Sequence, residues 1–147
     1  RTKVIAERNL FLIMGGAFVM SVELTLLLWA GALAVVQASI AAVGGVIQIG
    51  LPAMAGNRDP ALDVTGWVGR AQRAHRNMLE NLVLFAILVL AAQAMGTTNE
   101  MTVLGAKVFF WARVAFAGVY IVGLPWIRSG IWVVSIVGLV MIFLQLI

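Results

Sequence analysis

From Ser21 to about Ala55 the chain runs apolar, interrupted only by Glu23, Gln37, Gln48 and Pro52. A helix that is apolar on every side must be buried in a large core or face lipid, and this stretch is longer than one perpendicular crossing of a bilayer. Three further apolar runs follow, separated by short polar breaks. With 63% hydrophobic and 11% charged residues and a mean hydropathy of +1.05, the chain lies far above the roughly half-apolar composition of soluble domains. It reads as an all-α integral membrane protein. Spans of about 20 residues each let 147 residues form four transmembrane helices, five at the most, and no separate soluble domain. Function must sit in the bundle or at its rim.

The breaks set the helices. Starting the first helix near Ser21 puts Glu23 at the membrane interface, where a carboxylate is cheaper than in hydrocarbon. That helix ends near Gln48, and Ile49 to Trp67, with Gly50, Pro52, Gly56 and the Asn57-Arg58-Asp59-Pro60 turn, forms the connection. The second helix covers about Trp67 to Ala94, the third Met101 to Val122 after a cap at Thr98 or Asn99. Gly123-Leu124-Pro125 ends the third, and the fourth begins near Ile127. Arg58, Arg70, Arg73, Arg76 and Arg128 then share one side, which their excess marks as cytoplasmic. Arg1, Lys3 and Arg8 pull the other way, and a fifth, N-terminal helix is the topology that reconciles them. Residues 1–19 are expected to form a membrane-associated extension.

Several chemistries are excluded. There is no cysteine, so protein thiol catalysis, disulfides and thiolate metal sites are ruled out, and one histidine without a carboxylate cluster argues against a bound metal. The net charge of +4 is small and dispersed, which makes nucleic acid a poor partner and lipid headgroups a better one.

The informative run is Gly69 to Glu80, which gathers Arg70, Arg73, His75, Arg76, Asn77 and Glu80 at the entrance to an apolar helix. At about 100° per residue, Arg70, Arg73, Asn77 and Glu80 fall within an arc of about 80°, with Arg76 bordering it and His75 turned nearly opposite. In the third helix Arg113 and Tyr120 are seven residues apart and nearly aligned. The countercharge available to Arg113 is Glu80, so the second and third helices are expected to enclose Arg113, Tyr120, Asn77 and Glu80. Arg128 and Ser129 open the fourth helix, where guanidinium and helix N-terminus together favour an anion: carboxylate, phosphate or thiolate. Each residue also has a plainer reading. Arg70 and Arg76 as readily snorkel to headgroups, a Glu80 pair as readily fixes helix register, and the tryptophans belong to an interfacial belt. The surplus of arginine over acid tips the balance toward an anion-binding cavity.

Arg70-x-x-Arg73-Ala-His75-Arg76-Asn77-x-x-Glu80-Asn81, followed by Arg113, Tyr120 and Arg128-Ser129 in that order, resembles the membrane-associated proteins in eicosanoid and glutathione metabolism, the MAPEG family, over residues 20–147. The resemblance implies a bacterial-type member of the inner membrane, a four-helix protomer, a homotrimer, and glutathione as co-substrate bound between adjacent subunits near the cytoplasmic side. By position it implies that Arg73, Asn77, Glu80, Arg113 and Tyr120 hold the peptide, with Arg70, Arg76 and Ser129 as accessories, and that Arg128 stabilises the thiolate. The ligand's sulfur then serves as nucleophile in a chain that has no cysteine of its own. Phe116, Trp132 and Val83 depart from the polar ring, tyrosine and proline common at those places. Two functions are thus expected to compete: a glutathione transferase or peroxidase for lipophilic electrophiles, and a non-catalytic membrane subunit that uses the charged face for lipid or for other membrane subunits.

Overall fold

The computed structural model of the chain describes residues 20–57 and 64–147. The expected N-terminal extension and Arg58 with its turn lie outside the described residues. Four long helices and one short one follow in order: α1 (Val22–Ile49), α2 (Leu51–Ala55), α3 (Gly66–Met95), α4 (Glu100–Val122) and α5 (Pro125–Phe143). The boundaries of the long helices fall within two residues of those read from the breaks, save that α5 ends at Phe143. The connection after α1 contains the short helix α2, which its Gly and Pro content concealed.

Local chemistry accounts for each end. Ser21 caps α1, its hydroxyl accepting from Leu24 N at 3.3 Å. Asn99 and Thr102 form a reciprocal capping box at the start of α4. Gly96 and Gly123 close α3 and α4 in the left-handed region, at φ 66° and 92°. The 30-residue α3 is about 45 Å long, well beyond the roughly 30 Å of hydrocarbon, so its arginine-bearing first turns can reach past the apolar slab.

Among the described residues four helices, α1, α3, α4 and α5, are long and apolar enough to cross a membrane. The chain runs up and down through them, so that Ser21, Gly96 and Gln145 share one end and Gly50, Thr65, Gly123 and Arg128 the other. α5 packs chiefly on α4, touches α3 less, and has no close backbone approach to α1. Large apolar side chains such as Leu28, Val35, Ile47, Val83, Ile87 and Trp111 cover the outside. Lipid supplies no hydrophobic drive for helix association, so contact relies on small residues and interhelical hydrogen bonds. At the α4–α5 crossing a Cβ added to Gly105 would stand 2.7 Å from Gly138 O, and one added to Gly138 would stand 2.7 Å from Gly105 O. The core behind is built from Ala30, Ala34, Met78 and Val89 around Phe85 and Phe109, whose rings stack at 4.2 Å.

At the Ser21 end, polar side chains tie all four long helices together. Gln93 donates to Ser21 Oγ, Thr102 Oγ1 donates to Glu23 Oε1 at 2.6 Å, and Asn99 Nδ2 donates to Gln145 Oε1 at 3.0 Å. Glu23 therefore differs from expectation. It occupies the helix end, yet it is only 2% exposed, because Thr102 of α4 draws it inward in place of interfacial water.

Candidate functional site

The opposite end carries the charged residues. A cleft of about 280 Å³ opens between α3, α4 and α5, lined by Asn77, Phe116, Tyr120, Arg128, Ser129 and Trp132. Four of these were singled out from sequence as ligand-binding, catalytic or accessory residues. Phe116 and Trp132, noted there as apolar departures, form part of the wall.

Behind the cleft lies Arg113, 1% exposed and among the largest fully buried side chains. Its Nη1 donates to Asn77 Oδ1 at 2.8 Å and its Nη2 to Ser135 Oγ at 2.9 Å, while the Ser135 hydroxyl donates to Trp132 O at 2.7 Å. The guanidinium also lies 4.7 Å from the Phe116 ring centroid and 5.7 Å from that of Phe109. This corrects the expected pairing. Arg113 does not meet Glu80: among the described residues no carboxylate pairs with it, and Glu80 is exposed on α3. Asn77 and Glu80 sit on one stripe, but α4 faces only its Asn77 edge. A buried guanidinium thus keeps its charge with neutral acceptors alone, an arrangement that leaves a positive field directed toward the cleft.

The rings continue the pattern outward. Phe116 meets Tyr120 edge-on at 5.3 Å, and the Arg128 guanidinium lies over the Tyr120 ring at 4.6 Å. Two arginines therefore bracket two aromatic rings, one buried and one at the cleft wall. Such contacts contribute about 0.5–2 kcal/mol each, the more so when desolvated. Arg128 stands in the first turn of α5, whose N-cap Leu124 offers no side-chain acceptor, so the N–H groups of Trp126 and Ile127 remain free for an anion. Ser129 Oγ is turned back to Pro125 O at 3.1 Å.

The remaining candidates lie apart. Arg73 and Arg76 are exposed and do not line the cleft. Arg70 is half-buried and its Nε donates to Ile121 O at 2.8 Å, so this arginine is engaged with α4. His75 also lies outside the cleft, as its angular position indicates, and its buried Nδ1 has no hydrogen-bond partner among the described residues. Ser135 is the contributor that sequence reasoning missed. A serine deep in an apolar helix carries little signal, and only its seven-residue spacing from Arg128, nearly two helical turns, placed it on the same face.

A model of the MAPEG family matches residues 19–147. No curated protein and no solved structure matches the chain.

Proposed function

Because this chain belongs to the MAPEG family, we propose that it is a glutathione-dependent membrane transferase or peroxidase acting on lipophilic electrophiles that arrive through the bilayer. The observation that carries this reading is the placement of Arg128 over Tyr120 at a cleft whose opposite wall is Asn77, held by a buried arginine. Glutathione is an anion with two carboxylates, an ammonium and a thiol. In the proposed complex the Arg128 guanidinium and the free N–H groups of the α5 first turn favour the thiolate, and the displaced proton leaves to water at this end of the bundle. The sulfur then attacks an electrophilic carbon, forming a C–S bond while the leaving group departs with its electron pair. With a hydroperoxide it attacks the terminal oxygen instead, breaking the O–O bond and releasing the alcohol once a proton is taken up, and the thiol of a second glutathione then displaces water from the resulting sulfenic acid to give the disulfide. Asn77 Oδ1 is occupied by Arg113, which leaves its amide N–H groups to donate to the peptide.

The site of one protomer is incomplete for a tripeptide. Its cleft, about 280 Å³, is at the small end of ligand pockets, about 300 Å³ and upward, and Arg73 and Glu80 are exposed and do not line it. Exposed charges partway along a membrane helix are costly unless protein covers them. Both features support a homotrimer in which an adjacent copy closes the cleft and brings Arg73 and Glu80 against the carboxylate and ammonium of the ligand. On this reading the Arg128 end faces the cytoplasm, where glutathione is made.

Titration calorimetry of the detergent-solubilised protein with glutathione tests the proposal. Binding at millimolar ligand or tighter, together with absorbance of the bound thiolate, supports it. No heat at millimolar glutathione sinks it and leaves the non-catalytic subunit as the reading.

A further inference from the structure

The structure assigns Arg70 a role other than ligand contact: we infer that it is a positioning residue, holding the turn between α4 and α5 so that Arg128 stays over Tyr120. This use of Arg128 rests on the function proposed above, whereas the hold of Arg70 on it does not.

The argument begins with a missing donor. In a continuing helix the Ile121 carbonyl would accept from the N–H of residue 125. That residue is Pro125, which has none. Val119 O takes the N–H groups of Gly123 and Leu124 as the chain leaves the helix, at 3.0 and 3.3 Å, so neither reaches Ile121. Arg70 fills the gap from another helix, its Nε lying 2.8 Å from Ile121 O. A cation at a helix C-terminus is also favoured by the macrodipole. Its side chain lies against Gly123, where an added Cβ would stand 3.2 Å from Nε and 3.3 Å from Cζ, and where φ is +92°. Only glycine both adopts that conformation readily and leaves the arginine its room.

What this turn controls is close at hand. Leu124 O accepts the N–H of Arg128 at 3.1 Å, the first hydrogen bond of α5, so the orientation of the turn sets the direction in which Arg128 leaves the helix. Arg128 and Tyr120 lie on opposite sides of the turn, and the 4.6 Å contact between them requires both arms to keep their angle. Among the described residues Arg70 makes one hydrogen bond, to the carbonyl between those arms.

The test uses the single tyrosine of the chain. Full-length protein in nanodiscs, with ring-labelled tyrosine, gives one aromatic signal that needs no assignment. Arg128→Ala marks the position of that signal without the guanidinium. In Arg70→Ala the signal is expected to move most of the way toward the Arg128→Ala position, and Arg70→Lys, whose amine can also donate to Ile121 O, to return it toward wild type. Gly123→Ala attacks the same contact from the other side and is expected to displace the signal likewise, which keeps the test open if Arg70→Ala does not fold. A wild-type signal in the Arg70→Ala and Gly123→Ala proteins overturns the inference, as does an Arg128→Ala signal that never leaves the wild-type position. The glutathione arm is separate: Arg70→Ala should keep affinity within about threefold while losing thiolate absorbance at a fixed pH. If wild type binds no glutathione, the transferase reading fails, while the tyrosine signal still decides the role of Arg70.

Discussion

Arg113 reaches Asn77 across the α3–α4 seam at 2.8 Å, and this bond joins the buried interior to the cleft. Because no acid among the described residues neutralises Arg113, its burial costs the fold free energy that an apolar side chain of similar length would not. Arg113→Met is therefore expected to leave the thermal midpoint unchanged or slightly raised. Ser135→Ala should lower stability by about 1–3 kcal/mol, since it strands a buried guanidinium N–H. In Arg113→Met the Asn77 amide loses its fixed orientation, and glutathione affinity should fall about tenfold, or about 1.4 kcal/mol. Thermal scans beside calorimetry check both halves. A strongly destabilised Arg113→Met that still binds normally would reverse the assignment.

Gly105 and Gly138 approach so closely that neither tolerates a methyl group without separation of α4 from α5. Gly105→Ala and Gly138→Ala should each cost about 1–3 kcal/mol, the range for overpacking. Gly31→Ala, where an added Cβ meets nothing within 4 Å, should stay within about 0.5 kcal/mol of wild type. The three thermal midpoints compared in one detergent decide it. Gly138→Ala should also weaken glutathione binding, because Ser135 stands one turn before it and supports Arg113.

Within the described residues, the number, order and approximate ends of the membrane helices were legible because each break carries its own chemistry: Glu23 held the start of the first near Ser21, a cap at Thr98 or Asn99 opened the third, and a Gly-Leu-Pro exit closed it after Val122. The arc on α3 was legible too, since periodicity fixes which residues share a face. Periodicity does not fix which edge of that face meets a neighbour, and so Glu80 was given to Arg113 when Asn77 and Ser135 are its partners. Glu23 shows the same limit. Its place near a helix end could be read, whereas its burial depends on Thr102, seventy-nine residues away. Arg70 was placed on the charged arc by its spacing and counted only as an accessory to the site, though the proline at 125 carried a signal that the Ile121 carbonyl lacks its helical donor.

Thr102 serves two structures at once, receiving Asn99 N in the α4 capping box and donating to Glu23 of α1. Thr102→Val removes both. It should destabilise by about 1–3 kcal/mol for the stranded buried carboxyl, with about 1 kcal/mol more for the lost cap. Glu23→Gln keeps an oxygen that accepts from Thr102 and should cost much less. Thermal unfolding of the two variants at one pH gives the comparison; equal losses would show that the charge of Glu23, and not the hydrogen bond from Thr102 or the cap, carries the stability at this end.

Glu80 is exposed on α3 about halfway along a helix that crosses the membrane, and it has no partner among the described residues. If an adjacent copy covers it, native mass spectrometry from mild detergent should give a threefold multiple of the 15.7 kDa chain. Glu80→Gln, which keeps hydrogen bonding and removes the charge, should preserve that species and weaken glutathione by at least about tenfold through loss of the ammonium contact. Glu80→Leu should also preserve the trimer, since it removes a costly polar group from the membrane, but it should abolish binding altogether. If both variants instead fell apart to single chains with unchanged affinity per chain, Glu80 would be an assembly contact, and the ligand's ammonium would need another acceptor.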